Sequence, residues 1–204
     1  ITVVPLRAVV RYFLNEGPAP PPRSIVITAD DGHRTVFTEM APLVRQYKIP
    51  VTLFIYPSAI SNASYAMTWS ELAELKATGL FDVQSHTFWH PNFRIEKRRL
   101  SPNDYRKFVS EQLVRSRNKL EDELGGKVDL LAWPFGIYDD ELIDLARRAG
   151  YVAAFSIERR PASALDDVMA LPRYLMTDEA RGAAFARIVE GESPAPKSRT
   201  RENR

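Results

Sequence analysis

The sequence predicts an α/β fold, and three observations carry the prediction. Apolar runs of strand length alternate along the chain with longer stretches of helical periodicity. Polar, chemistry-bearing residues follow directly on two of those runs, where α/β folds open their clefts. The 204 residues, 45% of them apolar, suffice for one domain with a substantial core.

The elements follow in order. Ile1 to Leu14 reads as helical or mixed, and Gly17 to Pro22 as a linker. Ile25-Val26-Ile27-Thr28-Ala29 reads as a short buried strand between Pro20-Pro21-Pro22 and Gly32. Val36, Phe37, Met40, Leu43, Val44 and Tyr47 recur at helical spacing, with Pro42 expected to delay or kink that helix. Val51 to Tyr56 is a strong strand. Thr68-Trp69-Ser70-Glu71 is a capping box that opens a short helix stopping at Gly79. Leu80 to Gln84 is the second strand-like run that ends in polar residues. The longest helix is expected over about Asn103 to Leu124, with Val109, Leu113, Leu120 and Leu124 on one face and Gly125-Gly126 ending it. Leu130 to Trp133 reads as a strand and Asp139 to Ala149 as a helix ending at Gly150. Ala153 to Ile157 and Met169 to Leu171 read as the last strands. The chain has no internal repeat.

Composition narrows the function classes. The net charge of +2 equals the excess of Lys197, Arg199, Arg201 and Arg204 over Glu192 and Glu202 in the tail, so the body is neutral. A nucleic-acid partner is therefore not expected. Arg94, Lys97, Arg98 and Arg99 read as a solvated helix or loop start. A tail over 191–204 is expected to be disordered. No stretch approaches the ~20 apolar residues of a membrane span. The absence of cysteine fits an exported bacterial protein without disulfides, and many cytosolic ones too. It also leaves only histidine and carboxylate as metal ligands.

Asp30 and Asp31 end the first run, and Ser85-His86-Thr87-Phe88-Trp89-His90 follows the second. Adjacent strand residues point to opposite faces, but at a frayed end both can turn toward one pocket. Two of the chain's three histidines, His86 and His90, are four apart, which puts both imidazoles on one helical face or across one tight turn. One carboxylate and two imidazoles suit a divalent transition metal, zinc first by availability, with cobalt, nickel and iron as alternatives. The second carboxylate is then free as a base, the minimum kit for metal-assisted hydrolysis. Taken separately, an Asp-Asp-Gly is as readily a turn, and a histidine pair is more readily a surface accident than a ligand pair.

Three ordered motifs resemble one family. Thr28-Ala29-Asp30-Asp31-Gly32 is similar to the T-F-D-D-G motif of the polysaccharide deacetylases, carbohydrate esterase family 4 with the NodB-homology domain. His86-Thr87-Phe88-Trp89-His90 is similar to their H-[ST]-x-x-H, and Ala132-Trp133-Pro134-Phe135-Gly136 to their R-x-P-[YF]-G. The form of the first and third motifs most resembles the exported poly-N-acetylglucosamine deacetylases. The resemblance implies a distorted (β/α) barrel of about seven strands over 1–190, with the site at the C-terminal strand ends. It implies a hydrolase that removes N-acetyl groups from an N-acetylated glycan, in the periplasm or at the cell surface. By motif, Asp30 is the general base, Asp31, His86 and His90 are the metal ligands, and the backbone N–H near Phe135 helps hold the oxyanion.

Three departures qualify this. The arginine of the third motif is Ala132 here, so the base carboxylate needs another partner; Arg173 is a candidate, although a surface arginine is the readier reading. Ala29 replaces a phenylalanine. No histidine follows His90, where the family has its acid. His33 is a candidate acid, against the readier reading of a solvent-facing imidazole. In the poly-N-acetylglucosamine branch the acid can precede the first motif, and the chain, starting at Ile1, is expected to lack that segment; turnover is then expected to be slow. Trp89 and Phe135 are expected near the sugar, Trp133 and Pro134 to line the site, and Trp69 to pack. The competing readings are a glycan- or metal-binding domain without turnover, and a hydrolase of other small C–N bonds.

Overall fold

The computed structural model describes residues 1–191. The tail expected over 191–204 lies, beyond Gly191, outside the described residues. Among the described residues, seven strands and seven α-helices follow in the order β1 (Thr2–Val3), α1 (Leu6–Phe13), β2 (Ser24–Ile25), β3 (Ile27–Asp30), α2 (Ala41–Tyr47), β4 (Val51–Ile55), α3 (Trp69–Ala77), β5 (Phe81–Ser85), α4 (Phe93–Arg99), α5 (Pro102–Leu124), β6 (Leu130–Ala132), α6 (Asp140–Arg148), β7 (Ala153–Phe155) and α7 (Ala183–Glu190). Five strands form one parallel sheet in the order β3-β4-β5-β6-β7, and β1 and β2 form a separate parallel pair. The curled sheet with its outer helices is the distorted, open (β/α) barrel that the family resemblance implies, with five strands in its wall where about seven are expected.

Alternation along the strands divides the core in two. Leu53, Ile55, Val83, Leu131 and Ala154 face outward and pack under α3, α5 and α6 residues such as Leu72, Leu113 and Ala146. Phe54, Leu130, Ala132, Ala153 and Phe155 face inward and meet Leu6 and Val10 of α1. α1 therefore stops the barrel from below. Arg7 fixes it there, pairing with Asp82 at 3.0 Å and Asp129 at 2.8 Å near the starts of β5 and β6. The opposite end, where the strands finish, is left open for chemistry.

Local signals explain most boundaries. Thr68 and Glu71 form the reciprocal capping box at α3. Ser101 caps α5 and Pro102 occupies its first turn, where a missing N–H costs nothing. Val109, Leu113 and Leu120 are fully buried along α5, and Leu124 is partly buried. Pro42 acts as expected: Val36–Met40 forms a wide π-type turn before α2 begins.

Some expectations need correcting. Ile25–Ala29 is not one buried strand. It is split at Val26, half pairing with β1 and half with β4, and it is only half-buried because β3 is a sheet edge. Leu43 and Tyr47 are 55% and 65% exposed, because the turn before α2 rotates them off the core. Met169–Leu171 is no strand: Val168–Ala170 is a 3-10 turn, and Leu171 makes a single bridge to Phe155. Among the described residues, no helix is long and apolar enough to cross a membrane.

The two layers predict different sensitivities. Leu6→Ala, which leaves a hole in the barrel floor, should cost about 2–5 kcal/mol. Leu43→Ala should stay within about 0.5 kcal/mol. Urea unfolding of both variants checks this, and equal losses would refute the assignment of α1 as the floor.

Candidate active site

The site forms where the strands end. Asp30 is the last residue of β3 and faces inward beside Phe54 in register. Asp31 then takes φ 73° and Gly32 φ 76°, which turns the second carboxylate back toward the same cleft. The left-handed step is costly for Asp31 and free for Gly32. Gly32 is also enclosed: a Cβ there would lie 2.9 Å from Ile60 Cδ1. The adjacent aspartates thus reach one pocket through a turn at the strand end.

His86 follows β5 and is 3% exposed. Its Nδ1 lies 2.7 Å from the Ala132 carbonyl. A carbonyl only accepts, so this partner assigns the proton to Nδ1 and leaves the Nε2 lone pair facing the cleft. The third motif therefore orients the second through its backbone. His90 reaches the same place from a tight loop, with left-handed φ at Thr87 (65°) and His90 (60°). The Thr87 hydroxyl accepts from the His90 N–H, and Gln112 of α5 accepts from the Trp89 N–H. The two imidazole centroids are 4.5 Å apart.

These groups make a ligand set. Asp31 Oδ1 is 3.6 Å from His86 Nε2 and 3.9 Å from His90 Nε2. One ligand atom from each of the three lies within 4.8 Å of the others. Burial pushes both imidazoles below the usual histidine range, against the pull of Asp30 and Asp31, so they present lone pairs at neutral pH. Two neutral nitrogens and one carboxylate oxygen fit a divalent transition metal.

Asp30 stands apart from this set. Its oxygens accept from Arg173 Nη1 at 2.9 Å and Nη2 at 2.8 Å, a bidentate pair. Burial works against its charge, but Arg173, His86 and His90 together outweigh it and hold the carboxyl below the usual range. The surface-arginine reading of Arg173 is thus corrected: its side chain is 14% exposed. It also donates to the Thr28 hydroxyl and the Ser156 carbonyl, and lies 5.1 Å above the Phe54 ring. Ala132, where the family motif has arginine, is fully buried in the barrel. The guanidinium comes instead from the segment after β7 and lies over the inward-facing Phe54 and Phe155 rings. Beside it, Thr28, Asp30, Ile157, Tyr174, Leu175 and Met176 line a groove of roughly 240 Å³.

The remaining candidates divide. Phe135 is 55% exposed, has φ 56°, and its ring lies 4.5 Å from that of His90. Trp89 is 42% exposed and edges onto Phe108 at 5.8 Å. Trp133 does not line the site: it is 1% exposed and gives its indole N–H to the Met169 carbonyl. Pro134 is buried with it. Trp69 packs against the core with Lys119 over its ring. His33 is exposed, with Nδ1 bonded to Thr35. The sequence reading missed Gln112 and Tyr65; a polar residue on the buried face of α5 was the available signal for the first.

Comparison with known proteins identifies the family and the fold. The sequence model of the Polysaccharide deacetylase family matches residues 17–154. The poly-beta-1,6-N-acetyl-D-glucosamine N-deacetylase of Staphylococcus aureus is 26% identical over 180 residues, covering 83% of this chain and 59% of that protein. The chain thus spans less than two thirds of that relative. The Streptococcus pyogenes deacetylase PplD in complex with acetate superposes with a TM-score of 0.79 at 20% identity, covering 94% of this chain and 80% of that one. IcaB from Ammonifex degensii superposes with 0.76 at 22% identity, over 94% of this chain and 83% of its own. The two superpositions establish the fold. The chain belongs to the polysaccharide deacetylase family.

The Arg173 pair gives a direct test. Arg173→Met removes the cation and leaves the burial, so the Asp30 carboxyl should titrate at higher pH than in the wild type. Carbon-detected NMR titration of the aspartates measures this, and an unmoved Asp30 would sink the pairing.

Proposed function

We propose that this family member hydrolyses N-acetyl groups of an N-acetylglucosamine polysaccharide, with Asp30 as general base. The observation that carries the reading is a division between neighbours. Asp31 joins two neutral imidazoles in a ligand set, while Asp30 is held ionised by Arg173 just outside it, 4.0 Å from His86 Nε2. Asp31, His86 and His90 would hold one divalent ion, zinc first. Such an ion polarises an amide carbonyl and acidifies water.

The chain's own groups do the rest. Asp30 takes the proton of the attacking water, and Arg173 keeps its oxygens oriented for that task. The Phe135 backbone N–H faces the developing oxyanion in this reading. The amide C–N bond breaks, acetate leaves, and the amine takes up a proton. The exposed rings of Phe135 and Trp89 offer apolar faces to the sugar. The relative's named polymer supports poly-N-acetylglucosamine as the substrate class, and with it an exported protein.

A domain that binds glycan without turnover is the second reading. One observation favours it: His33, the only histidine outside the ligand set, is exposed and tied to Thr35. Acetate release from N-acetylglucosamine oligomers, with and without added zinc, separates the two.

Asp30→Asn should retain zinc and lose about 10²–10⁴-fold in acetate release, since an amide accepts no proton. Full activity in this variant would dismiss Asp30 as the base. His86→Ala/His90→Ala should lose zinc altogether, measured by elemental analysis after dialysis. Equal metal content in that variant and the wild type would rule out the ligand set.

A further inference from the structure

We infer that His33, Tyr65 and Tyr56 form a stacking platform for a second sugar ring of the polymer, continuing the cleft past His90. The inference rests on the glycan substrate proposed above. It assigns to His33 a binding task in place of proton donation.

The platform is built from rings in sequence. Tyr56 follows β4 and its ring centroid is 5.5 Å from that of His90. Its hydroxyl is hydrogen-bonded to that of Tyr65. The Tyr65 ring lies nearly parallel to that of His33, at 16° and 5.9 Å between centroids. With Phe135 beside His90 at 4.5 Å, aromatic rings line a path from the third motif to His33, joined between Tyr56 and Tyr65 by their hydroxyls.

The backbone holds this arrangement in place. Residues His33 and Ala66 form an antiparallel bridge. The Arg34 N–H donates to the Tyr65 carbonyl at 2.8 Å, and the Met67 N–H to that of Gly32 at 2.9 Å. The bridge begins one residue after the Asp31 turn, so the platform and the ligand set share a frame. The Thr35 N–H donates to His33 Nδ1 at 3.2 Å. This fixes the ring and leaves Nε2 as its outward donor.

The chemistry of these rings fits a sugar. Tyr65 is 42% exposed and His33 is exposed, so the stacked pair is not hidden in the core. Phenol and imidazole present flat apolar faces with polar rims. A pyranose pairs its C–H face with such a surface and its hydroxyls with the rim. Neither ring enters the Asp31–His86–His90 cluster. A platform of this kind favours long oligomers over short ones, since only a second ring reaches it.

The test uses β-1,6-linked N-acetylglucosamine dimer and pentamer, with the full chain. Acetate release gives kcat and KM, and calorimetry on an Asp30→Asn background gives binding without turnover. In the wild type the pentamer should have the lower KM. Tyr65→Ala and His33→Ala should each raise pentamer KM and Kd about three- to tenfold, with little change in kcat. His33→Phe and Tyr65→Phe keep the rings and should restore the pentamer preference; thermal melts check that every variant folds. Unchanged pentamer KM and Kd in both alanine variants, with acetate still released, overturns the platform and leaves the deacetylase reading intact. A loss of kcat of about 10²-fold or more at both lengths in His33→Ala also overturns it, making His33 the acid. Pentamer binding that depends on both rings, without acetate release under any metal, supports the platform and rejects the deacetylase reading. No binding and no release rejects both.

Discussion

The pair between Arg173 and Asp30 is the contact on which the cleft depends. The sheet runs from β3 to β7 without a hydrogen-bonded closure between those two edges. Arg173 spans the gap with one side chain, bonding Thr28 and Asp30 on β3 and the Ser156 carbonyl just after β7. A buried charge pair is a weak source of stability, because desolvation cancels most of the attraction. Its value here is specificity. The guanidinium lies over the Phe54 and Phe155 rings, which shield it from water and hold it in one orientation. The same contact sets the position of the carboxylate and its charge.

Of the eight non-glycine residues with positive φ among the described residues, four belong to the three motifs around the site. Asp31, Thr87, His90 and Phe135 all have positive φ without being glycine. Each such residue costs about 1–3 kcal/mol and persists only where its surroundings insist on it. The insistence is visible in the neighbours. Strand β4 accepts the Asp31 N–H at the Phe54 carbonyl, Gln112 pins the loop at Trp89, and the barrel floor is sealed by α1. This packed frame carries four left-handed residues, two of which, Asp31 and His90, bring their side chains together with His86.

Much of this was legible in the sequence because it is local. The capping box at Thr68, the long face of α5 and the turn forced by Pro42 are written in adjacent residues, and the structure has all three. The convergence of Asp31, His86 and His90 was legible because Asp31 and His86 lie directly after parallel strands that end together, and His90 follows His86 within one short loop. What the sequence hid depends on distance along the chain. Arg173 is 143 residues from Asp30, and nothing near it marks it as buried. Ile25–Ala29 has the pattern of one strand, but its two halves belong to different sheets. Trp133 belongs to a motif yet points into the core, because a motif names positions and says nothing of which face each occupies.

Asp30 and Asp31 make the same point at the smallest scale. They are chemically identical neighbours, and any difference in what they do must come from their surroundings. Asp30 ends the strand on its inward face, where burial would neutralise it unless a cation intervened, and Arg173 intervenes with both nitrogens. The pair favours its ionised form, and each of its oxygens accepts one guanidinium N–H with a lone pair left over. Asp31, one left-handed step later, is 52% exposed at its side chain and faces imidazoles instead. Asp30 faces a cation, whereas one Asp31 oxygen lies with two imidazole nitrogens in a group of the kind that binds zinc. The turn between them therefore sets one carboxylate on a guanidinium and the other beside two imidazoles, and the proposed division into base and ligand rests on that difference. Replacing Gly32 by any residue with a Cβ would press on Ile60 and strain that turn, so the distinction rests on the smallest side chain in the motif.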